Sequence, residues 1–150
     1  MTNFLSKVLP CSLLGLLLLA GQATAHCEIP CGIYDDTMRI NMIRENITTI
    51  EKSMNQILAL EKQPGENANQ LIRWVMNKEQ HADALQEIVS QYFMTQRIKP
   101  DDKDYASKLQ TLHAILLAAM KSKQTTDLGQ VKQLRELVNR FEKAYFDHAH

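Results

Sequence analysis

Ile40, Ile43, Ile47, Ile50, Met54 and Ile57 recur at alternating spacings of three and four residues. A helix turning every 3.6 residues gathers such positions on one face, whereas a strand would scatter them over both. Three more stripes of this kind follow. The second is Trp74, His81, Leu85, Ile88 and Tyr92, with Leu71, Val75, Ala82 and Val89 alongside. The third is Tyr105, Leu109, Leu112, Leu116 and Ala119, and the fourth is Val131, Leu134, Val138, Phe141 and Tyr145. One stripe cannot bury itself; four of them, joined by short polar turns, are buried most economically in an antiparallel four-helix bundle. The class is therefore all-α. With only 5 Gly and 4 Pro among 150 residues, the composition suits helices better than a sandwich or barrel.

Turn and cap residues mark the boundaries. The first helix is expected from about Thr37 to Lys62, capped by Asp35 or Asp36 and ended by Gln63-Pro64-Gly65. A second from about Asn69 to Gln96 is stopped by Pro100. The third begins near Asp101-Asp102-Lys103-Asp104, whose carboxylates suit a positive helix N-terminus, and the fourth after Thr126-Asp127. Ile72, Met76, Ile115 and Leu117 lie outside the narrowest stripes and are candidates for a contact between subunits.

Residues 1–25 differ from the rest. Lys7 is their only charge, Val8 to Ala20 is almost wholly apolar, and Ala23-Thr24-Ala25 has the small residues of a cleavage site. This is the pattern of a secretory leader, and the apolar run is too short for a comfortable membrane span. Cleavage after Ala25 by a leader-processing peptidase removes Cys11 and leaves Cys27 and Cys31. Export, to a periplasm in particular, is the expectation; a dedicated cytoplasmic protease would expose the same end. The formal net charge of zero offers no footprint for nucleic acid or an anionic membrane surface.

The domain reading is a leader at 1–25, an irregular hook at 26–36, and a bundle at 37–150. Chemistry concentrates in the hook, His26-Cys27-Glu28-Ile29-Pro30-Cys31-Gly32-Ile33-Tyr34-Asp35. Once freed, His26 offers an amine and an imidazole. Cys27 offers a thiolate and a deprotonable backbone amide, and Cys31 a second thiolate. Amine, amide and two thiolates make a planar set of two nitrogens and two sulfurs, leaving the imidazole for an axial position. Planar N/S coordination suits Ni(II) or Cu(II), whereas structural zinc prefers a tetrahedron. In an exported chain the cysteine pair taken alone fits a simple disulfide equally well.

The segment resembles the metal hook of the nickel superoxide dismutases, H-C-x-x-P-C-G-x-Y. His26, Cys27, Pro30, Cys31, Gly32 and Tyr34 meet each fixed position. Lys78-Glu79-Gln80 and Tyr92-Phe93 resemble stretches of that family's second helix. The resemblance implies a four-helix bundle assembled as a homohexamer, with one nickel ion per chain cycling between Ni(III) and Ni(II) to disproportionate superoxide into dioxygen and hydrogen peroxide. It implies that His26, Cys27 and Cys31 hold the metal, that Pro30 shapes the turn through a cis peptide, and that Tyr34 sits over the open axial face, ordering water or superoxide. Two departures stand out. Glu28 replaces an aspartate found in some relatives. Asn41 and His81 stand where some relatives place the glutamate and arginine that neighbour the imidazole, so the groups orienting that ligand must differ.

Other readings remain beside this one. A nickel or copper carrier would use the same hook without turnover, and a purely structural bundle would use the cysteines as a disulfide. Arg39 and Lys78 are candidates for positive charge that attracts superoxide. His81 on an apolar stripe reads more readily as a hydrogen-bonded core residue than as a neighbour of the imidazole. His113 reads as a surface residue, and His148 and His150 as a frayed tail. The sequon Asn46-Ile47-Thr48 falls mid-helix, against its use for glycosylation.

Overall fold

A computed structural model describes residues 32–62 and 64–147. They form four helices: α1 (Asp36–Leu60), α2 (Pro64–Glu87, continuing as a π-helix over Ile88–Arg97), α3 (Tyr105–Gln124) and α4 (Leu128–Phe146). Every neighbouring pair is antiparallel, as the cross-contacts show. Between α1 and α2, Asp36 meets Arg97, Asn46 meets His81 and Ser53 meets Asn77. Asp36 meets Tyr145, Arg44 meets Glu142 and Glu51 meets Arg135 between α1 and α4. Between α2 and α3, Lys78 reaches Lys123 while Gln86 reaches Leu116. The result is the expected up-down-up-down bundle.

All six apolar residues of the first stripe are buried, as are Leu85, Val89 and Phe93 of α2 and Val131, Leu134, Val138 and Phe141 of α4. Each such side chain contributes about 1.5–3 kcal/mol on burial. In α3 the buried line is shifted from the expected stripe. Leu112, Ile115, Ala118, Ala119 and Ser122 are buried, with Lys108, while Tyr105, Leu109 and Leu116 flank them half-buried. Ile115 is therefore a core residue at 0% exposure, not a contact between subunits. With apolar residues at 112, 115, 116, 117, 118 and 119, the α3 sequence alone does not settle which line faces inward. Ile72 and Met76 are more than half exposed, and Leu117 is 43% exposed.

The caps refine the boundaries. Asp35 caps α1, accepting from the Met38 N–H at 2.8 Å, and Asp127 caps α4 through the Gly129 N–H. Asp104 precedes α3 at φ 59°, a left-handed conformation that aspartate adopts more readily than most residues. Pro64 and Gly65, read as the terminator of α1, instead open α2, which starts five residues before the expected Asn69. Proline is favoured in a helix's first turn because its missing N–H would have no partner there. Among the described residues no helix is long and apolar enough to cross a membrane.

The end of α2 departs from α-geometry. Its hydrogen bonds reach five residues back: Ile98 N–H to the Phe93 carbonyl at 3.0 Å. The Thr95 hydroxyl and Gln96 amide likewise donate to the Ser90 and Gln91 carbonyls, at 2.8 and 2.9 Å. π-helical turns are rare and concentrate at functional sites.

Candidate metal centre

The start of α1 meets the ends of α2 and α4 in an aromatic cluster. Tyr34 lies edge-on to Tyr92 with centroids 5.9 Å apart, Tyr92 packs on Phe93, and Phe93 on Phe141 and Tyr145. Tyr34 is 41% exposed, so one side of its ring faces solvent while the other is held. The Arg97 guanidinium lies 4.2 Å from the Tyr34 centroid, a cation over a π face.

Asp36 organises these groups. Its Oδ1 accepts from the Tyr92 hydroxyl at 2.6 Å and Arg97 Nε at 2.9 Å. Its Oδ2 accepts from Arg97 Nη2 and the Tyr145 hydroxyl, each at 2.8 Å. A two-pronged guanidinium–carboxylate pair is strong and fixed in direction. Burial alone would raise the Asp36 carboxyl, but the hydrogen bonds from Arg97, Tyr92 and Tyr145, with the Arg97 charge, hold it below its ordinary value. Burial and the same carboxylate push Tyr145 up to about 12 and raise Tyr92 as well. Hydrogen bonding to Asp36 outweighs burial and raises Arg97. All three partners therefore keep their protons at neutral pH.

Arg39 lies over the Tyr92 ring at 5.0 Å, and its buried Nε finds no hydrogen-bond partner among the described residues. Lys108 lies 5.8 Å over Tyr145. Arg39, Arg97 and Lys108 thus each lie over a ring of this cluster, and of the three Arg97 is paired with Asp36. Of the expected charges, Arg39 is here and Lys78 is not. The Lys78 ammonium is buried and donates to the carbonyls of Lys123 and Thr125 at 2.6 and 3.1 Å. Burial lowers its pKa, with Glu79 partly opposing.

Asn41 and His81, which match the positions that neighbour the imidazole in some relatives, make no hydrogen bond to each other. Asn41 is exposed. His81 Nδ1 instead lies 2.7 Å from Oδ1 of the nearly buried Asn46, which fits the core-histidine reading and places the sequon asparagine inward. His113 is exposed, as expected.

His26, Cys27, Pro30 and Cys31 lie outside the described residues, as do the leader and His148 and His150. Among the described residues no three His, Cys, Asp or Glu side chains gather to hold a metal ion.

Residues 21–149 match the family model of the nickel-containing superoxide dismutases. The chain belongs to that family. No curated protein and no solved structure gives a match. As a superoxide dismutase the chain is an oxidoreductase acting on superoxide, and nickel is the metal of its family. The donor types in His26, Cys27 and Cys31 suit that metal, since thiolate and nitrogen donors accept square-planar nickel.

Three participants at the start of α1 were not legible as such. Asp36 reads in sequence only as a possible cap, Arg97 falls just past the expected end of the second helix at Gln96, and Tyr145 is the last member of a stripe. Only their convergence marks them.

Proposed function

We propose that removal of residues 1–25 activates this nickel superoxide dismutase by giving His26 a free amine. His26 would then hold one nickel per chain through its amine and imidazole, Cys27 through its amide nitrogen and thiolate, and Cys31 through a second thiolate. Bound there, nickel supplies the Ni(III)/Ni(II) couple for the dismutation. Two superoxide anions and two protons give one dioxygen and one hydrogen peroxide. Tyr34 is the residue we assign to ordering water or superoxide, with its hydroxyl as a donor. Arg39, over the neighbouring Tyr92 ring, supplies positive charge nearby, which would raise the encounter rate of a small anion at low ionic strength. Assembly as a homohexamer and export before cleavage belong to the same reading.

The observation that carries the proposal is the match of His26, Cys27, Pro30, Cys31, Gly32 and Tyr34 to the family's hook, directly after Ala23-Thr24-Ala25. The test uses protein beginning at His26, loaded with nickel. Superoxide dismutation together with a rhombic Ni(III) spin signal split by an axial nitrogen is the expected result. Nickel binding with neither would overturn it, as would equal activity in protein that keeps residues 1–25.

A further inference from the structure

The π-helical end of α2 and the carboxylate of Asp36 belong to one arrangement. In an α-helix, residues five apart point about 140° away from each other, since each step turns about 100°. A π-helix, with hydrogen bonds five residues long, turns roughly 82° per residue, so residues five apart diverge by only about 50°. Tyr92 and Arg97 are five apart, and both donate to Oδ1 of Asp36. An α-helical continuation would turn one of them away. The π winding is what lets α2 grip α1 with both side chains, and that grip carries Arg97 onto the face of Tyr34.

We propose that Arg97 is a positioning residue for Tyr34, held in place by Asp36 and brought there by the π-helical end of α2. The proposal deepens the reading of Tyr34 as the residue that meets substrate, and rests on it for its effect on rate. The geometry of the contact is specific to a guanidinium. Its planar fork binds both oxygens of Asp36 while its central carbon lies over the phenol ring; an ammonium would keep the charge but lose the fork and the capacity to stack. Tyr34, 41% exposed and preceded by Gly32 at φ +75°, has Tyr92 on one edge and Arg97 over its face. Without Arg97 the ring would keep only the edge contact.

The test compares Arg97→Gln and Arg97→Lys with the parent, in nickel-loaded protein beginning at His26, each alone and in a Tyr34→Ala background. Circular dichroism checks that each variant folds. The Tyr34 ring resonances, identified by their loss in Tyr34→Phe, are followed by NMR in metal-free protein, and kcat/KM for superoxide in loaded protein. Arg97→Gln and Arg97→Lys are both expected to shift and sharpen the Tyr34 resonances and to lower kcat/KM about tenfold, the order expected when a reacting group is displaced by a fraction of an ångström. In the Tyr34→Ala background the Arg97 change should cost nothing further. Unmoved Tyr34 resonances would overturn the proposal. So would a parental rate in Arg97→Lys, since charge alone would then suffice, or an equal loss in the Tyr34→Ala background, since Arg97 would then act on the substrate directly. If Tyr34→Ala keeps the parental rate while Arg97→Gln still moves the ring resonances, the positioning stands and the assignment of Tyr34 falls.

Discussion

Replacing Asp36 by asparagine tests the junction of α1, α2 and α4 without changing its shape. The carboxylate accepts four hydrogen bonds, two from tyrosine hydroxyls and two from Arg97. Asparagine has one acceptor oxygen, and its amide would turn donors toward donors, so about two of the four bonds are lost. The remaining two, one from a tyrosine and one from Arg97, weaken because the acceptor is no longer an anion, a loss of about 1 kcal/mol each. Arg97 is left without its counter-charge, although its side chain is 27% exposed and water can take up part of the loss. The sum is about 3 kcal/mol of destabilisation. Urea unfolding of the metal-free protein should show it as a midpoint lowered by roughly 1–2 M with little change of slope. The pH dependence has a definite sign. The folded carboxyl titrates below its ordinary 3.8, so its contribution is full above that value and is lost as pH falls through the lower folded value. The gap between parent and variant should therefore be constant near neutrality and close in acid. A gap below about 0.5 kcal/mol at pH 7 would refute the reasoning, because an exposed ion pair contributes that little. So would a gap unchanged down to full protonation.

Four further outcomes are expected. Cys31→Ser in protein beginning at His26 should lose nickel on equilibrium dialysis under conditions in which the parent retains it, with loss of dismutation, because a hydroxyl is a poor substitute for a thiolate ligand. Asn46→Ala should lower stability by about 1–3 kcal/mol in chemical unfolding by leaving the His81 Nδ1 group without its partner. Lys78→Met should cost about 1–3 kcal/mol, read as a lowered Tm, by stripping the donor from the carbonyls of Lys123 and Thr125 at the α3–α4 turn. Tyr145 is pushed from 10.0 up to about 12 in the folded protein, so its contribution is full below pH 10 and is lost as pH rises through 12. The alkaline limb of the stability profile should accordingly be shallower in Tyr145→Phe.

Much of the scaffold was legible because burial in a helix leaves a one-dimensional trace. The alternating threes and fours from Ile40 to Ile57 place every member in the core. The α3 pattern is ambiguous because its apolar residues are consecutive, and the choice between the Leu116 line and the Ile115 line was made by what α2 and α4 present to it. Pro64 illustrates a local signal with two valid outcomes: the same residue that cannot continue one helix is well suited to begin the next.

The chemistry divides in the same way. By itself the sequence determined the helical class, an aspartate cap at position 35 or 36 and another near Asp127, and the hook pattern from which His26, Cys27 and Cys31 are proposed as donors, because each depends on residues a few positions apart along one chain. Only the tertiary structure decided that Asp36 joins Tyr92, Arg97 and Tyr145, and that Arg97 lies over Tyr34. It also decided that Lys78 holds carbonyls rather than facing substrate, and that His81 pairs with Asn46 rather than Asn41. Those choices turn on the rotational phase of one helix against another. Phase is set by packing over the whole bundle, and in α2 by a change from α to π winding that rotates Arg97 relative to Tyr92. No local pattern of residue types specifies that angle.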